Sequence, residues 1–592
     1  ITIGPSVSLN SSGNNGGGGS NHSAGSISLS TGPSGTLITG SSGAAISALG
    51  YDGGTSNTIS LTADSMAING ALNGNTVNLS TKTSSQNISL GPTGGGLLLD
   101  DNAANYINAP NIYISTGSGN IAHTGEFIPT FSSSGGVFSV VTGTGSITDS
   151  SGGTSNLGPG VNATNYILSG SSIGSALNPI ATYHSPSLDL RSAGSIYVKG
   201  SGLTSSLSVT STSGGAGTFD FSGISNAAPS ITTASNIYTV SGTNLGSAMS
   251  FSFTGNAPIH LGTGAVGLAS NGGLISVRAT GTGSDIAVQT GGGGIVTSGT
   301  GSVTLNADGT TSILNNINAG SGGINVTGGN GISYSAGTIQ TTNDGSINFN
   351  SPLTLVGSLT TNSGAGDTSF MSAIAGGVNS LTVNSTGVTL FNSTVQAASV
   401  TTNVGGSTQL NGNVSTTAAQ TYNDAVTLAA DDVLTGVNVT FASTVNGAKN
   451  LTVNDSGTTT FSAVVGGTTA LTSVTTDAAG ATQLNGGVIT TTAAQTYNDA
   501  VTLGVDTTLN GVNVTLASTV NGAKNLTVND SGTTTFGGVV GGTTALTSVT
   551  TNAPGTTAIN GTAITTTAAQ TYNDAVTLAA DDVLTGVNVT FA

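Results

Sequence analysis

The sequence contains no cysteine, no tryptophan, a single glutamate (Glu126) and only six basic residues in 592. Each absence excludes something. Without Cys there is no disulfide framework and no thiolate metal site, so rigidity must come from backbone ladders and packing. The cations Lys82, Arg191, Lys199, Arg278, Lys449 and Lys524 are scattered, whereas a nucleic-acid or anionic-membrane surface needs them clustered. Charged residues are 5% of the chain, far from the ~25% of a cytoplasmic globular enzyme. The near absence of Glu and Lys removes two strong helix formers. No run of ~18 apolar residues exists, so no helical membrane span is predicted.

What the chain has instead is 93 Gly, 80 Ser, 98 Thr and 22 Asp, the last giving a net charge of −17. Hydrophobic residues are 36%, much of it Val and Ile in short alternating runs, which a disordered chain would lack. This composition predicts a secreted, repetitive, all-β chain.

Self-similarity is the strongest signal. Thr417 to Leu428 reads TAAQTYNDAVTL and returns at Thr492–Leu503 and Thr567–Leu578, a period of 75. Ala442 to Phe461 returns unchanged at Ala517–Phe536. A degenerate earlier copy shows at Phe349–Leu355 (FNSPLTL). Within each unit, runs such as Val437–Phe441 and Leu451–Val453 alternate with period two, and Asn446-Gly447 or Ser456-Gly457 supply turns. About seven strands per unit predict three or four coils of roughly 19–25 residues. The N-terminal part has the same grammar without strict repetition: in residues 57–81, Ile59, Leu61, Ile68, Leu72, Val77 and Leu79 are placed to face inward. Residues 1–400 hold 71 Ser and 50 Thr, against 9 and 48 in 401–592.

The fold this predicts is a right-handed parallel β-helix (a β-solenoid) forming an elongated rod with essentially no helix. At about 4.8 Å per coil, roughly 24–31 coils would make a rod about 110–150 Å long. Tyr422, Tyr497 and Tyr572 should then stack as a ladder in register with the repeat. The expected organisation is an irregular Gly/Ser-rich solenoid over 1–345, with excursions near 124–170 and 204–263. A degenerate transitional repeat follows over 346–415, and Thr-rich 75-residue repeats over 416–592. The chain begins at Ile1 and stops in mid-repeat at Ala592, which reads as an internal window of a longer chain. Both ends lack a polar cap, so neighbouring chain or head-to-tail copies would cover them.

The runs ISLTADSMAINGAL (59–72) and LDLRSAGSIYVKG (188–200) resemble the shafts of filamentous-haemagglutinin-type bacterial adhesins. The 75-residue units resemble the β-strand repeats of giant autotransporter-like surface proteins. The resemblance implies export to the cell surface or medium, a β-helical fibre, and roles in adhesion, aggregation or biofilm. Its partners would be host or neighbouring-cell surface glycans or proteins, with homotypic lateral or end-to-end association. The secretion domain of that family is not evident.

Candidate chemistry is sparse. His22, His123, His184 and His260 share no motif with a Ser, Asp or Cys partner and read as surface or turn residues. Asp100-Asp101 is the one adjacent acidic pair outside the repeats, and a β-helix glycosidase would set basic residues near such carboxylates. Asp431-Asp432 and Asp581-Asp582 vary to Val505-Asp506 in the middle copy and read as a solvated turn. Residues 281–286 partly fit a calcium nonapeptide, but such sites need tandem copies. Asn78, Asn87, Asn325, Asn438, Asn450, Asn513, Asn525 and Asn588 are formal glycosylation acceptors in a chain rich in Asn and Thr. Ice binding would need a Thr-x-Thr on a flat face of every coil, and the irregular Thr spacing predicts none. No catalytic, cofactor or metal residue is therefore assigned. The expected function is a secreted structural and adhesive shaft without catalysis. The rivals are a parallel β-helix polysaccharide lyase or glycosidase, and a self-assembling extracellular filament subunit.

Overall fold

A computed structural model describes residues 57–127, 294–579 and 581–592 without interruption, and shorter segments before 57 and between 129 and 289. The alternation seen in the sequence becomes inward-outward alternation in short strands, and about 20 stacked coils with parallel pairing form a β-solenoid that is 1% helix. The chain divides into two compact units, Ile1–Thr311 and Ser312–Ala592. The number of coils falls below the 24–31 expected, because coils in the first unit grow well past the repeat-derived length.

In the first unit Ile27 pairs with Ile59, 32 residues on, Ile59 with Val77, 18 on, and Val77 with Ile112, 35 on. The longest of these coils carries the helix Asp101–Tyr106, with Asp100 as its N-cap accepting from the Ala103 amide at 2.9 Å. All six inward residues predicted in 57–81 are buried. Within 124–170 and 204–263 the described strands, such as Gly136–Thr142 and Gly217–Ile224, pair in parallel with their neighbours. The remainder of those two stretches lies outside the described residues.

The second unit is a stack of three-faced coils. Face A runs through strands Thr368–Phe370, Val388–Phe391, Ser407–Leu410 and Ala425–Leu428. Face B follows through Val395–Ala397, Val414–Thr416 and Asp432–Gly436, and face C through Val400–Thr402, Gln420–Tyr422 and Val439–Phe441. Coil lengths stay between 18 residues (Thr408 to Val426) and 24 (Val465 to Ile489). Corners are tight: Gly447 has φ 123° and its repeat mate Gly522 has φ 127°, and a Cβ at either would collide with the carbonyl of Leu428 or Leu503.

Eleven strand positions, not about seven, separate one copy of the 75-residue unit from the next, counting the single bridging residue Val465. Many are two or three residues long, too short for alternation to reveal. Eleven is not a multiple of three, so a unit spans three and two-thirds coils. Each copy is therefore turned by one face. Gln420–Tyr422 lies on face C beside Val439–Phe441, Gln495–Tyr497 on face B beside Val514–Leu516, and Gln570–Tyr572 on face A beside Val589–Phe591.

The predicted tyrosine ladder is thereby overturned. Tyr422 stacks instead on Phe441 (5.5 Å between centroids), which stacks on Phe461 (5.2 Å). Phe349, Phe370 and Phe391 form a second stack at 5.1 and 5.4 Å on face A. Offset and parallel ring pairs of this kind add about 0.5–1.5 kcal/mol each beyond their burial.

Candidate interaction surface

The outward side chains of the second unit fall into files. On face C, Thr360, Thr382, Thr401, Thr421, Thr440 and Thr460 sit rung above rung. Thr452, Thr475, Thr496, Thr515 and Thr535 do so on face B. Thr508, Thr527, Thr550, Thr571 and Thr590 do so on face A. The irregular Thr spacing thus becomes regular in space, because corners of unequal length absorb the difference. The rows read Thr-x-Asn rather than Thr-x-Thr. Beside the face A file the Asn529 amide donates to Asn510 at 2.8 Å, Asn552 to Asn529, and Asn573 to Asn552 at 3.0 Å. Such amide ladders are stabilised by stacking identical residues in register.

Behind the files lies a polar interior that recurs with each unit. The Tyr422 hydroxyl donates to Gln420 Oε1 at 3.0 Å, and Gln420 Nε2 donates to the Thr435 carbonyl one coil on at 2.9 Å. The same clamp joins Tyr497 to Gln495 at 3.1 Å and Tyr572 to Gln570 at 3.0 Å. Burial pushes the Tyr422 hydroxyl pKa far up, with Asp432 and Asp424 adding to it. Asp424 accepts from the buried hydroxyls of Thr402 and Thr408, both at 2.7 Å. Asp499 does the same with Thr476 and Thr482, and Asp574 with Thr551 and Thr557. Burial raises the carboxyl pKa of Asp424 and Asp499, against the pull of these hydroxyls.

The pair Asp431-Asp432 is only half a solvated turn. Asp431 is exposed, and its pKa is lowered by the amide N–H and side chain of Asn450. Asp432 is 1% exposed, and burial pushes its carboxyl to about 6, with Gly412 N–H opposing and Asp431 adding. Alternation explains the split, since adjacent residues of a strand face opposite ways. The middle copy has the neutral, buried Thr507 in the same place.

The remaining sequence candidates do not converge. His123 is fully buried, its Nδ1 3.4 Å from Asp149 Oδ1 on the neighbouring coil, so it is a core residue rather than a surface one. His260 is half-buried, which lowers its pKa, while His22 and His184 lie outside the described residues. Asp100 is committed as a helix cap. Asp285, in the partial calcium motif, accepts from Thr310 N–H at 2.6 Å. Among the described residues no group of three or more His, Cys, Asp or Glu could hold a metal ion. Several formal glycosylation acceptors are engaged in ladders: Asn78 donates to Ser60 at 3.2 Å and Asn450 to Asp431 at 2.8 Å.

A feature without any signal in the sequence is a shallow groove of about 240 Å³ on face B, lined by Thr394, Gln396, Asn413, Ser415, Val433 and Thr435. Its residues come from three coils, so only the fold brings them together. No family model matches the chain, and neither a curated protein nor a solved structure matches it.

Proposed function

We propose that the chain is a length of the shaft of a secreted bacterial adhesin or extracellular fibre, structural and adhesive, with no catalytic step. The observation that carries this reading is the turning of the 75-residue unit. Each copy brings the same Thr and Asn rungs to a different face, so an array offers equivalent contacts on every side. Catalysis needs one positioned constellation and gains nothing from such repetition. A surface that holds by many weak contacts gains with each added copy. The resemblance to filamentous-haemagglutinin-type shafts supports placement at the cell surface or in the medium, with roles in attachment, aggregation or biofilm matrix.

The test couples imaging to binding. Electron microscopy should find fibres one or a few solenoids wide, and beads coated with the chain should hold cells more firmly as 75-residue copies are added. Retention independent of copy number, or cleavage of acidic polysaccharides by the purified chain, would overturn the reading.

A further inference from the structure

The groove on face B differs chemically from the ladders around it. Elsewhere on the second unit outward amides pair along the stack, as Asn384 does with Asn362 at 2.7 Å and Asn411 with Asn392 at 2.9 Å. In the groove, the Asn413 side-chain oxygen instead accepts from the Val433 amide N–H at 2.9 Å. That bond draws the Asn413 side chain against the sheet and leaves its NH2 without a protein partner. The Gln396 amide and the hydroxyls of Thr394, Ser415 and Thr435 likewise bond to no protein group. Ser415 is the short rung between Gln396 and Thr435, so the surface dips there. Val433 adds an apolar patch to the floor.

The result is a ring of uncharged donors and acceptors around an apolar spot. We propose that this groove is a subsite for a neutral glycan. A pyranose presents hydroxyls at its edge and C–H groups on its face, which matches amide and hydroxyl groups around Val433. No cation lines the groove, so a sulfated or carboxylated sugar would have nothing to neutralise it. The carboxylate of Asp431, close in sequence to Val433, is already bonded to Asn450. The volume of about 240 Å³ is below the ~300–1,000 Å³ of clefts for drug-sized ligands and suits about one sugar ring. Rungs repeat at about 4.8 Å, so an oligosaccharide laid along the stack passes from the groove onto the Thr452 and Thr475 rungs of the same face. The groove lies where the degenerate copy gives way to the strict repeats, which makes its residue set distinct from those of later coils. The inference deepens the adhesive reading and rests on it.

The experiment titrates the full chain with neutral tetrasaccharides of glucose, mannose and N-acetylglucosamine, and with sialylated and sulfated tetrasaccharides, by saturation-transfer NMR. At least one neutral probe should bind. Ser415→Leu, which fills the dip, should abolish binding, and Gln396→Ala should weaken it about fivefold, the worth of one hydrogen bond. Thr440→Leu on face C should leave it unchanged, and all three variants should melt like the parent. Cell retention without binding of any neutral tetrasaccharide would sink the groove proposal alone. Binding that survives Ser415→Leu, or that prefers the sulfated or sialylated probes, would also overturn it. Loss of both cell retention and saccharide binding would remove the adhesive reading with it.

Discussion

The two units build the same kind of coil under different rules. In Ile1–Thr311 coil length swings from 18 residues (Ile59 to Val77) to 35 (Val77 to Ile112), the surplus going into corners and one short helix. The core there is mostly aliphatic, with Ile59, Ile112, Val140 and Leu168 buried on one sheet. In Ser312–Ala592 coil length is held near twenty, and the core carries stacked rings and recurring Gln–Tyr and Thr–Asp–Thr clusters. The difference teaches that a solenoid tolerates length variation at its corners but not within its strands. Where length is held, buried polar clusters can recur and mark the register of an otherwise low-complexity sequence, a role best attested for buried polar groups in coiled coils.

The largest effect should come from deleting one residue on each side of that comparison. Removing Thr421 from strand Gln420–Tyr422 reverses the facing of its neighbours and should abolish protection of that coil from limited proteolysis. Removing Thr93, in the corner between Ile88–Leu90 and Leu97–Leu99, should change the melting profile little. Equal damage from both deletions would break the distinction. Next, Phe441→Ala should cost about 3–5 kcal/mol in urea unfolding, because it empties the middle of a ring stack.

Asp432→Thr, copying the middle repeat, should stabilise the second unit at neutral pH by on the order of 1–3 kcal/mol. The buried carboxyl of Asp432 is raised from 3.8 to about 6, so folding favours its protonated form. Its contribution is fully present below about 3.8 and lost as pH rises through about 6. Parent stability should therefore fall between pH 5 and 7 relative to the variant, and parallel pH curves would contradict the assignment. The smallest effect is the sharpest test of the turning unit. Tyr422→Phe and Tyr497→Phe each leave a Gln oxygen unpaired and should cost about 1–2 kcal/mol equally, although they lie on different faces. Unequal costs would mean that the face matters more than the unit.

Much of the fold was legible in the residues. Alternation placed Ile59, Leu61, Val77 and Leu79 inside, and turn dipeptides such as Asn446-Gly447 marked corners. The burial of His123 and Asp432 was not legible, because a polar residue inside a strand can face either way and only register decides. The groove was not legible either, since Gln396, Ser415 and Thr435 are about twenty residues apart and meet only when three coils stack.

The sequence by itself determined a parallel, repetitive β structure with a period of 75, since short alternating runs between turn residues leave no other way to bury Val, Ile and Leu. Only the tertiary structure decided how many residues close one coil. That number is set by how three walls of inward side chains pack across a narrow core and by the reach of each corner, quantities that no linear period contains. Because a unit of eleven strands is wound on three faces, identical segments turn away from one another. Tyr422 meets Phe441 instead of Tyr497, and the same threonines come to face every side.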